Sequence, residues 1–286
     1  GTFSKENPAG AGGGALPGGI GWYRKSFKVT EEDASKRIYI DFDGVYMNSE
    51  VFINGVSLGV RPFGYIGFRY DLTPYIQTDK ENVLAVRVDN SLQPNSRWYT
   101  GSGIYRNVWL TKVAPVHVAH WGTYITTPTV TNEKAEVAIQ TTVVNTENVE
   151  INAELTAVLL DANGREKERA TSSLLLPANS TQELSQEIEL SNPIRWTLEN
   201  PYLYTVRTEV RINGKLADVY DTPTGIRTFR FDAEKGFFLN EQSVKIKGVC
   251  QHHDLGCLGS AVNTRALERQ LEILQQMGCN SIRCSH

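Results

Sequence analysis

Apolar and polar residues alternate along much of the first part of the chain, and this pattern predicts β-strands. In KRIYIDFDG every second residue from Ile38 to Phe42 is apolar, and ENVLAVRVDN repeats the alternation from Leu84 to Val88. A period of two places these side chains on one face of a half-buried strand. Between them, VFINGVSLG contains an Asn-Gly pair at 54–55, which predicts a tight hairpin turn because both residues tolerate positive φ. This first β region ends near the segment GIYRNVWL.

A second β region runs from about Pro115 to Gly225 and has no helical period. AEVAIQTTVV and INAELTAVLL both alternate, and further Asn-Gly turns stand at 163–164 and 213–214. Several short strands with regular turn signals over roughly a hundred residues are typical of an immunoglobulin-like sandwich. We therefore expect such a sandwich in this region.

The pattern changes after Thr224 and becomes that of an α/β fold. VKIKGVC is a nearly continuous apolar run that fits a buried parallel strand. NTRALERQLEILQQMG has leucines at helical spacing, with Asn263 as a candidate N-cap and Gly278 as a C-terminal stop. NSIRCSH supplies the next strand. Because one strand–helix–strand unit cannot bury both faces of its sheet, we expect the chain to end inside a larger α/β domain and to expose apolar surface that favours self-association.

Glycine dominates residues 1–21, which include the segment GAGGGALPGGIG. This composition favours a flexible leader. The alternative is a loop that lies against another domain and uses glycine for close backbone approach.

Composition and charge exclude several classes of partner. The 286 residues are enough for two or three domains, and the formal net charge is -3 without any basic run. Nucleic acid and anionic membranes are therefore not expected as partners. No apolar stretch approaches the ~20 residues that a membrane-spanning helix needs.

All four cysteines lie between 250 and 284, close to His252, His253 and His286. Neither pair has the C-x-x-C spacing of a zinc site, so ordinary buried thiols are favoured over structural zinc. The β regions contain no cysteine, and their folding energy must come from burial rather than from disulfides. A metal-dependent enzyme that uses the Cys and His cluster remains an alternative.

Polar groups stand at the ends of both predicted barrel strands. The first strand leads into His252, His253 and Asp254, and the second carries Arg283 and His286. In α/β barrels functional residues sit at the carboxyl ends of strands. His and Asp can hydrogen-bond sugar hydroxyls, and Arg can hold a carboxylate with paired donors. The alternative is that His252, His253 and Asp254 are ordinary loop residues and that Arg283 and His286 form a local structural pair. The sequence has neither a phosphate-binding glycine loop after a strand nor a G-x-S-x-G motif, so phosphoryl and acyl transfer have little support.

The order of these segments resembles glycoside hydrolase family 2, which includes β-galactosidases, β-glucuronidases and β-mannosidases. GWYRKSF, VFINGVSLGVRPFGYIGFRYDLTPYI and NSRWYTGSGIYRNVWL resemble pieces of its jelly roll, while KGVCQHHD and MGCNSIRCSH resemble its first two barrel strands. The resemblance implies a mainly β chain in three parts. These are a jelly-roll sugar-binding domain at 1–114 whose start is missing, an immunoglobulin-like β-sandwich at 115–226, and the opening βαβ unit of a (β/α)8 TIM barrel at 227–286.

The resemblance also implies roles for particular residues. His286, with His252 and Asp254, is similar to the groups that contact the sugar in the glycone subsite. Arg283 is similar to the arginine that orients the nucleophilic glutamate. In this chain Cys250 and Gln251 replace the more usual asparagine and basic residue, which leaves the identity of the sugar open.

A jelly-roll edge that approaches the barrel mouth in this family supplies three further candidates. These are Asp89, Arg97 and Trp98. Structural packing of that edge is an equally good interpretation of all three.

The family implies a retaining mechanism, in which one glutamate attacks the anomeric carbon and another protonates the leaving oxygen, with carboxyls about 5 to 5.5 Å apart. Both glutamates are expected in later barrel strands, so no catalytic residue is assigned in this chain. The resemblance implies the N-terminal portion of a retaining exo-β-glycosidase that hydrolyses terminal β-D-galactosides, inactive alone. The alternatives are β-glucuronidase or β-mannosidase specificity and a non-catalytic carbohydrate-binding scaffold.

The expected partner is a β-linked oligosaccharide or glycoside. No cofactor and no metal site is expected in this chain, while a divalent or monovalent cation in the intact enzyme and a homo-oligomer remain open. The resemblance favours a bacterial protein that is periplasmic or otherwise exported over a cytoplasmic one.

Overall fold

The structure is a computed structural model that describes residues 2–96 and 98–285. The chain divides into two compact units, one formed by 1–112 with 247–286 and the other by 113–246. In the described part of the chain no helix reaches the length and apolarity that a membrane crossing requires. The boundaries predicted for the three domains stay a prediction.

The β-strands of residues 1–112, within the first unit, form a two-sheet sandwich, as the alternating pattern predicts. One antiparallel sheet has four strands in the order β1-β7-β4-β5, another has the order β6-β2-β9, and β3 pairs with β8. Two 3₁₀ turns, at Glu31–Asp33 and Thr73–Tyr75, lie between strands. The strands are β1 (Gly19–Lys28), β2 (Arg37–Phe42), β3 (Val45–Tyr46), β4 (Ser49–Ile53), β5 (Val56–Arg61), β6 (Phe68–Asp71), β7 (Glu81–Asn90), β8 (Gly103–Ile104) and β9 (Val108–Val113).

Alternation in the sequence translates directly into burial in this sandwich. Along β7 every second residue is buried, and the corresponding apolar residues of β2 fill the same core. Phe42 is only 1% exposed, and its ring stacks on Phe68 with centroids 5.0 Å apart. The Asn54-Gly55 pair has φ values of 51° and 86° and joins β4 to β5, which confirms the predicted hairpin turn.

A buried ion pair links the three strands of the smaller sheet. Asp41 on β2 accepts hydrogen bonds from Arg69 on β6, with Nε–Oδ1 at 2.5 Å and Nη2–Oδ2 at 3.0 Å. Thr111 on β9 donates its hydroxyl to Asp41 Oδ2 at 2.7 Å. The Arg69 guanidinium also lies over the Tyr39 ring, 4.7 Å from its centroid. A charge at the centre of this sheet is therefore matched by donors from both neighbouring strands.

Asp33, in the first 3₁₀ turn, is held by two lysines and is expected to make the unit sensitive to acid. Hydrogen bonds from Lys112 and from Lys36, the latter at 2.8 Å, lower the pKa of Asp33 to about 2. Because the folded state depresses this pKa, the contribution to stability is present above the unfolded value near 4 and is lost as the pH falls toward 2.

We expect Asp33→Asn to lower the melting temperature at neutral pH, and the difference from the unchanged protein to shrink between about pH 4 and pH 2. Melting curves of both proteins across this range test it; a difference that stays constant with pH contradicts it.

The glycine-rich start is ordered, and the expectation of a flexible leader is wrong. Asn7 donates its side-chain amide to the carbonyls of Thr2 and Ala15 at 3.0 and 2.9 Å. A Cβ at Gly14 would lie 3.2 Å from the Tyr99 ring, and one at Gly18 would lie 2.5 Å from the Asn90 carbonyl oxygen. Glycine thus serves close backbone approach, as in the alternative interpretation. The surface approached belongs to the end of the jelly roll itself rather than to another domain.

The second unit contains the predicted immunoglobulin-like sandwich. A three-stranded sheet, β10-β11-β14, faces a four-stranded sheet, β13-β12-β15-β16. The Asn213-Gly214 turn, with φ values of 51° and 76°, joins β15 to β16 as predicted. The strands are β10 (Val116–Val130), β11 (Lys134–Asn145), β12 (Ile151–Leu160), β13 (Glu166–Leu176), β14 (Ser180–Ser191), β15 (Tyr204–Ile212) and β16 (Lys215–Thr224).

A small antiparallel sheet that the sequence patterns did not predict follows the sandwich in the second unit. Its strands are β17 (Phe229–Asp232), β18 (Gly236–Leu239) and β19 (Gln242–Ser243). Each strand has at most four residues, which is too short for a period of two to stand out from the surrounding chain.

The βαβ unit at the end of the chain is confirmed, but its first strand is shorter and more exposed than the sequence predicts. It consists of β20 (Gly248–Gln251), a 3₁₀ turn at Gly256–Leu258, helix α1 (Thr264–Gln276) and β21 (Ser281–Cys284). The two strands pair in parallel. The strand predicted from VKIKGVC begins only at Gly248 and is mostly exposed, because in the described part of the chain β20 and β21 pair with no other strand.

Helix α1 has the predicted ends. Asn263 Oδ1 accepts a hydrogen bond from the Ala266 backbone amide at 3.1 Å, and Gly278 has φ 86°. The apolar side of the helix leaves Leu271, Ile273 and Met277 substantially exposed. Self-association through this surface stays a prediction.

The expectation of buried thiols is wrong. Cys250 and Cys284 are exposed and Cys279 is half-buried. The reason is the same as for β20: both exposed cysteines lie on strands that no further strand or helix face covers among the described residues. The side chain of Cys257 lies outside the described part.

Candidate active site

The carboxyl ends of β20 and β21 bring the predicted sugar-binding groups to one edge. In the parallel register Cys250 lies opposite Arg283, and Gln251 lies opposite Cys284. His252 and Asp254 follow β20 directly, while Ser285 follows β21. His286, the first of the predicted sugar contacts, lies outside the described residues.

Arg283 is oriented by uncharged neighbours. Its Nη1 donates to Ser285 Oγ at 2.6 Å and to Cys250 Sγ at 3.7 Å. Among the described residues no carboxylate forms an ion pair with it, although its side chain lies at the edge where both strands end. An oriented guanidinium that retains free donors can bind an anionic group, which fits the predicted role toward a nucleophilic carboxylate.

His252 and Asp254 are both exposed on the loop after β20. Asp254 Oδ1 accepts the Gly256 backbone amide at 3.0 Å, so one carboxylate oxygen stabilises the 3₁₀ turn. Among the described residues no donor binds the other oxygen, which could accept a hydrogen bond from a hydroxyl group. The structure thus brings His252, Asp254 and Arg283 to the same end of the strand pair, and their contact with a sugar stays a prediction.

His253 is a residue of this loop whose position the sequence patterns did not predict. Its ring stacks on Tyr99 of the first β region, with centroids 6.3 Å apart and an interplanar angle of 8°. Both ring nitrogens are buried and have no hydrogen-bond partner among the described residues. A sequence separation of about 150 residues hides such a contact from any local pattern. The sequence feature that could have indicated this contact is a glycine in each of the two segments, at 101 and 259.

Those two glycines show how closely the jelly-roll end approaches the loop after β20. A Cβ at Gly101 would lie 1.8 Å from Ser260 Oγ, and one at Gly259 would lie 2.6 Å from the Tyr99 hydroxyl. The Val262 amide also donates to the Tyr105 carbonyl at 2.7 Å. The segment from 99 to 105 therefore packs directly against the loop that carries the candidate site.

The unpartnered nitrogens of His253 lead to a testable expectation. Replacing a buried polar group that makes no hydrogen bond by an apolar ring of similar shape costs little or stabilises, so His253→Phe should shift stability by less than about 0.5 kcal/mol or raise it. His253→Ala removes the stacking and should destabilise by roughly 1–2 kcal/mol. Hydrogen exchange of the 99–105 peptide measures both. Equal losses for the two variants would show that the ring nitrogens have a required partner.

Asp89 and Trp98 make local contacts in the jelly roll. Hydrogen bonds from the Ser91 hydroxyl and amide, followed by one from Arg87, lower the pKa of Asp89. Trp98 Nε1 donates to the Tyr65 hydroxyl at 3.0 Å. These contacts support the packing interpretation of both residues. Arg97 lies outside the described residues.

The described residues contain no group of three or more His, Cys, Asp or Glu side chains placed to hold a metal ion.

Three family models match consecutive parts of the chain. Glycosyl hydrolases family 2, sugar binding domain, matches residues 16–115. Glycosyl hydrolases family 2 matches 116–227, and glycosyl hydrolases family 2, TIM barrel domain, matches 232–286. The chain belongs to glycosyl hydrolases family 2. The order of the three matches confirms the fold class that the sequence predicts.

Relatives within glycosyl hydrolases family 2 are similar along the whole chain. The β-galactosidase BoGH2A of Bacteroides ovatus is 59% identical over 286 residues, which is 100% of this chain and 34% of that protein. A putative β-glucuronidase of Formosa agariphila is 43% identical over 99% of this chain and 26% of its own length. This chain therefore spans about a third or less of the length of these relatives.

A solved structure supports the same family assignment. A glycosyl hydrolase family 2 member from Bacteroides cellulosilyticus superimposes with a TM-score of 0.96 at 39% identity, covering 99% of this chain and 36% of that one. Each sandwich and the βαβ unit thus has the fold of the corresponding part of a family 2 structure.

Proposed function

We propose that this chain is the N-terminal portion of a retaining exo-β-glycosidase that removes terminal β-linked galactose. The observation that carries the proposal is Arg283, whose guanidinium is oriented at the strand ends and has no carboxylate partner among the described residues. In the proposed enzyme its free donors hold the nucleophilic glutamate, which reaches the site from another part of the barrel.

The side chains after β20 have the complementary task of holding the sugar. His252 and the free oxygen of Asp254 hydrogen-bond hydroxyl groups of the glycone, and His286 joins them in this proposal. The retaining reaction itself needs two carboxyls about 5 to 5.5 Å apart, one as nucleophile and one as acid/base. Neither is assigned in this chain, so the chain alone supplies positioning groups and no covalent chemistry.

Galactose is preferred over glucuronate because of the charges at the site. A glucuronide carries a carboxylate that a site usually matches with a cation, and Arg283 is already committed to the nucleophile in this proposal. The relative at 59% identity is named a β-galactosidase, whereas the one at 43% is named a putative β-glucuronidase. β-Glucuronidase activity is therefore the second candidate.

A panel of chromogenic aryl β-glycosides tests the sugar. The protein to assay is the extended protein, which we define as the polypeptide that the whole gene encodes. We expect turnover of the β-galactoside and much slower turnover of the β-glucuronide and β-mannoside. Preference for the β-glucuronide would replace the galactose assignment by the second candidate, and inactivity on all three would remove the glycosidase proposal.

An exported location, a homo-oligomer and a cation in the extended protein stay predictions. They do not enter the roles assigned to Arg283, His252 and Asp254.

A further inference from the structure

Both acceptors that hold Arg283 bind the same nitrogen. Ser285 Oγ and Cys250 Sγ accept from Nη1 at 2.6 and 3.7 Å. Ser285 is buried, 6% exposed, and lies two residues beyond Arg283 on the same strand end. Cys250 lies directly opposite Arg283 on β20. The guanidinium is thus held from its own strand and from the neighbouring strand.

This use of Nη1 decides which donors remain. A guanidinium has five N–H donors, of which two belong to Nη1. Of the other three, the Nε–H and one Nη2–H lie side by side on the edge formed by Nε and Nη2. Other arginines in this chain bind carboxylates through the same edge. Arg69 donates to Asp41, and Arg207 donates to Asp221, each through Nε and Nη2. Arg283 therefore keeps a complete carboxylate-binding edge unoccupied among the described residues.

Fixing the Nε/Nη2 edge of Arg283 against a carboxylate costs side-chain entropy, and the two acceptors reduce this cost because they already restrict the guanidinium. A free arginine side chain loses rotamer entropy when it is fixed. One acceptor on β20 and one directly after β21 restrict both the position of Nη1 and the rotation of the guanidinium plane. Catalytic groups need to be held within about 0.5 Å and 10–20° of the productive geometry.

We propose that Cys250 and Ser285 are positioning residues that hold Nη1 of Arg283 and so direct its Nε/Nη2 edge at the nucleophilic carboxylate. The inference rests on the proposed function for the identity of that carboxylate. It gives Cys250, which replaces the more usual asparagine of the family, an acceptor role toward Arg283. Because a thiol is a weak acceptor, Ser285 provides the stronger of the two contacts.

Kinetics of the extended protein test the positioning role. We expect Ser285→Ala to lower kcat by roughly tenfold or more, and Cys250→Ala by a smaller factor, with KM for the aryl β-galactoside nearly unchanged. Cys250→Ser keeps an acceptor and should retain more of kcat than Cys250→Ala. The double variant should lose less than the product of the single losses, since both contacts hold one group. Cys284→Ala is the matched control: it changes an exposed cysteine of the same strand pair that is opposite Gln251, and should leave kcat unchanged.

A second measurement reads the arginine directly and needs no activity. The Nε–H signal of Arg283 in ¹⁵N-labelled protein, assigned by its loss in Arg283→Lys, should report an ordered side chain in the unchanged protein. In Ser285→Ala and in Cys250→Ala the order parameter should fall. The same signal in Cys284→Ala should match the unchanged protein.

The two measurements separate failure of this inference from failure of the proposed function. An Arg283 side chain that is equally mobile in the unchanged protein and in both variants overturns the inference, whatever the kinetics. Variants that raise KM and leave kcat unchanged overturn it as well. An ordered Arg283 that loosens in the variants upholds the two contacts, and if the extended protein then hydrolyses none of the β-glycosides, the proposed function alone is overturned.

Discussion

Arg283→Met should lower kcat of the extended protein on an aryl β-galactoside by roughly 10²–10³-fold, because it removes all the donors with which Arg283 holds the nucleophile. Arg283→Lys keeps the positive charge but loses the paired donors of the Nε/Nη2 edge, so it should restore only a part of the activity. The expected change is in kcat more than in KM, since the guanidinium acts on the nucleophile rather than on the sugar.

The control for this prediction is Arg207→Met. Arg207 makes a bidentate pair with Asp221 on the immunoglobulin-like sandwich, and both side chains are more than 40% exposed. Its removal deletes the same type of side chain without touching the strand ends. Unchanged kcat in Arg283→Met, or an equal loss in Arg207→Met, contradicts the role assigned to Arg283.

Asp41→Ala should destabilise the jelly-roll sandwich by roughly 3–5 kcal/mol, which is a large share of the stability of a typical domain. The substitution removes the carboxylate that Arg69 binds through Nε and Nη2, in a place where Arg69 is 22% and Asp41 9% exposed. It also removes the acceptor of Thr111, so strands β2, β6 and β9 lose their shared polar contact. Urea unfolding followed by hydrogen exchange of β2 and β6 peptides measures this loss separately from the second unit.

A matched variant shows whether burial, rather than pair geometry, sets the cost. Asp221→Ala breaks a pair that uses the same two nitrogens of its arginine, Nε and Nη2, at 2.8 Å each. Because that pair is exposed, the expected loss is only about 0–1 kcal/mol. Similar losses for the two aspartates would show that the buried pair contributes no more than a surface pair.

Much of the fold could be predicted because its signals are local. The alternation from Ile38 to Phe42 and from Leu84 to Val88 is a direct readout of which face of each strand is buried. The Asn-Gly turns at 54–55 and 213–214 and the cap at Asn263 depend on the conformational preferences of one or two residues. Such features need no knowledge of the rest of the chain.

The failures share a different cause. Burial of β20 and of Cys250 depends on which elements cover the strand, and a run such as VKIKGVC has the same composition whether or not it is covered. The order of the glycine-rich start depends on contacts of Gly14 and Gly18 with residues about 70 to 85 positions later. Glycine content is compatible with flexibility and with close packing, and only the partner surface decides between them.

The candidate site was predictable in location more than in detail. Polar residues after two parallel strands predict that His252, Asp254 and Arg283 lie at one edge, because parallel strands end together. The acceptors of Arg283 were not predictable in the same way, since they require the register that sets Cys250 opposite Arg283. The stacking of His253 on Tyr99 could not be predicted either, because it depends on how the β-rich segment and the α/β segment both fold.

Hydrolysis of an aryl β-galactoside by this chain alone and by the extended protein, measured under the same conditions, tests most directly whether this chain supplies only positioning groups. We expect turnover by the extended protein and none by this chain, because Arg283, His252 and Asp254 only position the sugar and the nucleophile and the catalytic carboxylates lie elsewhere. Turnover by this chain alone would contradict this expectation, since the reaction would then use carboxylates of this chain to which no role is assigned.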